Sequence, residues 1–226
     1  MRKETNPRVL ACRVLLEVLS KGRPLKEALS RNIEKVPSKD RAFFHELLYG
    51  TIRHLLYIDW RLSFYLPKPE RLRPETRANL RLGAYQALKM RVPGWAVVHE
   101  TVEAEKATGK NTKLVNAVLR RIVEEPEEPP LPTDTIKRFS IKYSHPEWLV
   151  RRYIDMFGIE ETAKLLKSNN STPSLTLRVN TLKTTREAFV EKLHKMGIKA
   201  RPTEFSPYGV ALEEPVEHDV LLELLG

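Results

Sequence analysis

Arg81-Leu82-Gly83-Ala84-Tyr85-Gln86 and Val115-Asn116-Ala117-Val118-Leu119-Arg120-Arg121 decide the fold, because each sits inside a run whose apolar residues recur at helical spacing. Around the first, Leu80, Ala84 and Leu88 share a stripe on a helix that begins near Pro74 and is broken by Val92-Pro93-Gly94. Around the second, Val115, Val118, Leu119 and Ile122 share one face, and Asn111 or Thr112 can cap its start. Between them a further helix carries Val98, Val102 and Ala104. Toward the amino terminus, Val9, Cys12, Leu15, Leu16 and Leu19 predict a first helix that Lys21-Gly22-Arg23-Pro24 ends, with a short helix from Leu25 to Arg31 behind it. Ser38-Lys39-Asp40-Arg41 predicts the cap of one long helix with Phe44, Leu47, Leu48, Leu55 and Ile58 on its buried face, ending before Pro67 and forming the centre of the bundle. About six such helices make a compact bundle.

The texture changes at Glu124-Glu125-Pro126-Glu127-Glu128-Pro129-Pro130-Leu131-Pro132, where prolines remove donors and like charges repel. These features predict a solvated linker over 125–134 between a helical domain, 1–124, and a smaller domain, 135–226. Helical patterns run from Thr135 and from Glu147 to Lys167, followed by an extended stretch, Ser174 to Val179. Thr184 or Thr185 can cap a helix bearing Phe189, Leu193 and Met196 with Gly197 at its end, and strands are expected around Ile198 to Pro202 and Tyr208 to Leu212. The βαββ order implies an α+β domain, so the fold class is mainly α: a helical bundle followed by a small α+β domain.

At 226 residues and 41% hydrophobic, the chain can bury a sizeable core and is no disordered tail. A formal net charge of +10 points to a polyanionic partner, most simply nucleic acid. The single cysteine, Cys12, lies on an apolar stripe, so neither a disulfide framework nor a cysteine zinc cluster is expected, and a reducing cytoplasm fits best. No membrane contact is expected, because no apolar run is long enough to span a bilayer and the start lacks a signal-peptide core. His45, His54, His99, His145, His194 and His218 show no metal-ligand spacing, so no metal site is expected.

Residues Arg8 to Arg121 resemble the NusB-like antitermination domain, a helical RNA-binding fold. The matching phrases are Asp40-Arg41 before Phe44, Leu48 and Gly50; Arg81 to Tyr85; Glu100 to Lys106; and Val115 to Arg121. Tyr143 to Leu149, Asn169-Asn170 and Leu177 to Lys183 resemble the middle region of the Sun/RsmB family of ribosomal RNA cytosine-5 methyltransferases. The resemblance implies an RNA-binding, substrate-recognition region of a 16S-type enzyme, with ribosomal RNA as partner. In that family a Rossmann-like domain follows, carrying the S-adenosylmethionine loop and the catalytic cysteines. Neither motif occurs here, so no catalytic or cofactor-binding residue is assigned. S-adenosylmethionine is implied only for the full-length family, and this chain alone is expected to be inactive without a catalytic domain or partner protein. The alternative is a stand-alone NusB-like antitermination module.

Arg2, Lys3, Arg8, Arg13 and Arg23 surround the first helix, where NusB-like domains contact RNA, and guanidinium groups suit that role by bridging phosphates and stacking on bases. Arg41, Arg178 and Asn180 complete the RNA-binding set, the last two expected on one side of a strand. Asp40 reads as a helix initiator, and Arg81 with Tyr85, one turn apart, as core packing in preference to a stacking platform. Asn116 is expected to satisfy a buried backbone group, Tyr143, His145 and Trp148 to anchor a core, and the linker glutamates to be spacer.

Overall fold

The computed structural model describes residues 6–125, 127–214, 216 and 220, and among them lie ten helices and one three-stranded sheet. Two compact units divide after Asn170: Met1–Asn170 and Ser171–Gly226. Arg2, Lys3, Pro126 and His218 fall outside the described residues.

In the first unit, α1 (Pro7–Lys21) starts with proline in its first turn and Asn6 Oδ1 accepting from the Arg8 backbone N–H at 2.9 Å. Its buried stripe, Val9 to Cys12 with Val14 and Leu15, meets α2 (Leu25–Ile33) and α3 (Arg41–Arg53). The long helix expected from Ser38 to Pro67 is instead two, α3 and α4 (Leu55–Ser63), separated at His54 (φ −104°, ψ 20°). Leu48 and Leu55 are seven residues apart, so the apolar stripe stays in phase across the break and hides it from the sequence. The central helix is also a different one. In α5 (Pro74–Lys89) every residue from Ala78 to Gln86 is buried, because α1, α3, α4, α6 (Gly94–Thr108) and α7 (Thr112–Glu124) all pack around it.

Asp40 occupies the position before α3 but makes no capping hydrogen bond through its side chain; a short 3₁₀ turn, Ser38–Asp40, leads into the helix. A buried acid does comparable work elsewhere. Glu105 accepts from Thr76 Oγ1 (2.6 Å), Asn79 Nδ2 (2.5 Å) and the Asn111 backbone N–H (2.9 Å), joining α5, α6 and the start of α7 through a fully buried carboxylate whose oxygens are satisfied.

Glu125, Glu127 and Glu128, expected to be solvated spacer, are docked onto α4. Arg61, with 0% of its surface exposed, donates to the backbone carbonyls of Glu127 (2.6 Å) and Glu125 (3.1 Å). The Tyr57 hydroxyl donates to Glu128, and Tyr65 to Glu125 at 3.1 Å. A segment that cannot ladder its backbone thus has its carbonyls satisfied by one side chain. Beyond it, α8 (Thr135–Tyr143) packs on α4, and the Leu56 backbone N–H donates to Ser144 Oγ at 2.9 Å. Compactness therefore carries the first unit past the expected linker into α9 (Glu147–Asn169), which breaks at Gly158, where φ of 77° is a conformation glycine adopts without strain. Phe139, Val150 and Leu166 form the small core between α8 and α9.

The second unit has the expected βαββ order: β1 (Thr176–Arg178), α10 (Arg186–Lys195), β2 (Ala200–Pro202) and β3 (Gly209–Leu212). The sheet is antiparallel in the order β1-β3-β2, with Leu177 opposite Val210 and Ala200 opposite Leu212. The middle strand is buried throughout, and Leu193 of α10 closes the core over Val179, Ala200, Val210 and Leu212. The architecture is the expected one, a helical bundle followed by a small α+β unit.

Candidate nucleic-acid interface

Helix α1 does not present its arginines as one face. Arg8 is folded inward: Nε donates to Gln86 Oε1 at 2.9 Å, the guanidinium stacks 4.7 Å from the Phe43 ring, and Glu100 lies 3.8 Å away. Burial pulls its pKa below the ordinary value, opposed by Glu100 and Asp40. Arg23 is held by Glu17 and lies 3.8 Å from Glu27. Arg13 is exposed and forms no ion pair among the described residues, and it lies on another side of α1 because five residues turn a helix through roughly 140°. Arg41, at the start of α3, is exposed and donates to the Val36 carbonyl at 3.3 Å.

In the second unit Arg178 is exposed on β1, 5.9 Å from the Tyr208 ring. Asn180 is not beside it on the strand. β1 ends at Arg178, and Asn180 Oδ1 accepts from the Leu182 backbone N–H at 3.1 Å, so this side chain shapes a turn. Arg81 and Tyr85 are core residues as expected: Arg81 makes a two-pronged pair with Asp59 (2.7 and 2.6 Å), and the Tyr85 hydroxyl donates to Glu46. Tyr143 packs edge-on to Phe139, and its carbonyl accepts from Asn170 Nδ2 at 2.7 Å. Trp148, expected as a core anchor, is 65% exposed. The helix turns it outward, since Val150 is the residue of that turn that enters the core.

The described residues do assemble a basic cleft that the sequence does not announce. Tyr57 of α4, Lys89 of α5, Leu131, Lys142 and Tyr143 of α8, and Lys167 of α9 line a space of about 360 Å³ with Glu128. Lys89 Nζ stands 4.5 Å above the Tyr57 ring and Lys142 Nζ 5.6 Å from Tyr143. None of the three lysines pairs with a carboxylate among the described residues, and Glu128, the acid in the lining, accepts from the Tyr57 hydroxyl. Unpaired ammonium groups beside aromatic rings suit phosphates with bases stacked alongside. These lysines are far apart in sequence and individually resemble any surface lysine. Of the residues lining the cleft, the sequence singles out Tyr143 only as a core anchor and Glu128 only as spacer.

Comparison with known proteins follows the two units. The NusB family profile matches residues 5–124. This chain belongs to the NusB family. A second profile, the RsmF/B-like methyltransferase ferredoxin-like domain, matches residues 145–219, so the NusB region is followed by a domain of that type. Ribosomal RNA small subunit methyltransferase B of Escherichia fergusonii is 31% identical over 227 residues, covering 98% of this chain and 51% of the relative. The protein of the same name from Shigella boydii is 31% identical over 221 residues, covering 95% and 50%. The NusB-family chain thus spans about half the length of the curated relatives it matches. The crystal structure of PH0851 shares the fold, with a TM-score of 0.60 at 20% identity over 95% of this chain and 50% of that one.

Proposed function

We propose that this chain is the RNA-binding, substrate-recognition region of a small-subunit ribosomal RNA cytosine-5 methyltransferase that works in the cytoplasm. The observation that carries the reading is the order of the two domains in this chain, a NusB region and then an RsmF/B-type ferredoxin-like domain, beside its similarity to relatives named ribosomal RNA small subunit methyltransferase B. A free antitermination module would need only the first. The lysine cleft supports RNA as the ligand, as does the excess of positive charge. No helix among the described residues is long and apolar enough to cross a membrane, and none of their His, Cys, Asp or Glu side chains cluster as a metal site.

S-adenosylmethionine is the methyl donor that the family resemblance implies, and the described residues do not fit it. The sheet is antiparallel, and among these residues no glycine lies in a turn that leads from a strand into a helix to admit a nucleotide. Nor is Cys12 a nucleophile. Its thiol is fully buried, donates to the Glu75 carbonyl at 3.7 Å, and is pushed up by burial to about 12. Binding of cofactor and catalysis are therefore assigned to a catalytic domain or partner protein.

The test is titration of structured small-subunit ribosomal RNA at several salt concentrations, with the parent and a Lys89→Gln, Lys142→Gln, Lys167→Gln variant. The parent is expected to bind with a salt-dependent affinity, and the variant to lose about 0.7 to 0.9 of slope per phosphate contact. A parent without measurable affinity overturns the RNA reading, and an unchanged slope removes the cleft from it.

A further inference from the structure

A second cleft, of about 480 Å³, opens between α6 and α7, and its chemistry differs from that of the lysine cleft. Trp95 and His99 lie one turn apart on α6, and Asn116 and Arg120 lie one turn apart on α7, so each pair shares a face. Val98, Val102 and Val123 form an apolar floor, and the cleft falls within the ordinary size range of roughly 300–1,000 Å³ for small-ligand pockets. Gly94 makes the approach of the two helices possible, since a Cβ there would overlap Val123. Trp95 is 77% exposed at the rim.

Trp95, His99, Asn116 and Arg120 make no side-chain hydrogen bond, ion pair or ring contact among the described residues, whereas most of the large polar groups around α5 are engaged. Asn116 was expected to satisfy a buried backbone group; instead its amide stands half-buried at the cleft wall with both its donors and its acceptor free. An aromatic face at the rim, a free amide within and one cation beside it match an unstacked base: the ring stacks, the amide meets the base edge and the guanidinium meets the adjacent phosphate. Glu124 also borders the cleft, as does Glu103, which is engaged by Lys106. Carboxylates repel a phosphate and accept from a base amino group, so a base fits inside better than a phosphate does.

We infer that the α6–α7 cleft is a pocket for one unstacked nucleobase of single-stranded RNA, an inference that rests on the RNA-binding reading above. A short single-stranded RNA of mixed sequence is titrated into the full chain at several salt concentrations, with Trp95→Ala, Trp95→Phe and Arg120→Gln variants. Trp95→Ala is expected to weaken binding by about 5- to 150-fold, the range of a lost base stack, without changing the salt slope, because stacking releases no counterions. Trp95→Phe retains most of the affinity, and Arg120→Gln lowers the slope by about 0.7. Trp95 is too exposed for its removal to open a core cavity, and circular dichroism on each variant verifies the fold. If the parent binds this RNA and Trp95→Ala binds equally well, the pocket assignment is overturned while the RNA reading stands. If the parent binds neither this RNA nor structured ribosomal RNA, the RNA reading itself fails and the pocket falls with it.

Discussion

The seam that α4 makes with Glu125, Glu127 and Glu128 and the cleft between α6 and α7 both carry arginine, and they use it in opposite ways. Arg61 is wholly buried and spends its guanidinium on the carbonyls of Glu125 and Glu127, with only Nε unsatisfied. Arg120 is exposed at a cleft wall with no partner among the described residues. Arg81 and Arg8 belong with Arg61, tied to Asp59 and Gln86. A net charge of +10 therefore overstates what the arginines of α1, α4 and α5 can offer to a polyanion, since Arg8, Arg61 and Arg81 are engaged inside the unit, while Arg13, Arg120 and the cleft lysines remain free among the described residues.

The largest effect is expected where the arginine is buried. Arg61→Ala leaves two carbonyls without their donor and opens space under the segment, so the helical unit should lose about 3 kcal/mol in urea unfolding. Limited proteolysis should then cut faster within 125–134. Arg120→Ala should change stability by no more than about 0.5 kcal/mol. Equal stability of these two variants would break the contrast between seam and cleft.

A smaller effect comes from pH. His54, at the break between α3 and α4, stacks 6.0 Å from Tyr85, and burial, aided by Lys89 and Arg53, lowers its pKa from 6.5 to about 4. The unfolded chain binds this proton more readily, so the contribution is fully present above about pH 6.5 and is lost as pH falls toward about 4. Because the ring is only partly buried, the screened contribution is on the order of 1 kcal/mol. Stability measured between those limits should decline with acid, and His54→Gln should flatten the decline. An undiminished decline in that variant assigns the acid sensitivity to other groups.

Helix α7 is legible in sequence because it buries a single stripe, Val115, Val118, Leu119 and Ile122, behind a cap at Asn111, and α1 and α10 are legible from their caps and the glycines that follow them. Helix α5 is buried on all sides, which weakens its periodicity, and so the more amphipathic stretch after Ser38 looked central. The site was harder to read for a different reason. Whether an arginine is free depends on partners such as Gln86, Asp59 or the carbonyls of residues 125 and 127, which lie tens of residues away. Lys89, Lys142 and Lys167 pose the converse problem: ordinary in sequence, they become a site only when α5, α8 and α9 meet.

The finest test of the contrast lies within α1, where Arg8 and Arg13 were expected to act alike. Arg8 packs on Phe43 and bonds Gln86, so Arg8→Gln should cost about 1 kcal/mol of stability, and it should leave the RNA salt slope nearly unchanged because that charge already faces Glu100. Arg13 is exposed and unpaired, so Arg13→Gln should leave stability within about 0.5 kcal/mol of the parent. If α1 touches RNA, the slope of log affinity against log salt should fall by about 0.7 in Arg13→Gln, one counterion-releasing contact on a single strand. Urea unfolding and RNA titration on the same two proteins separate the terms. A slope that drops in Arg8→Gln and not in Arg13→Gln would mean that Arg8 exchanges its internal partners for phosphate on binding, and α1 would have to be regarded as rearranging when RNA arrives.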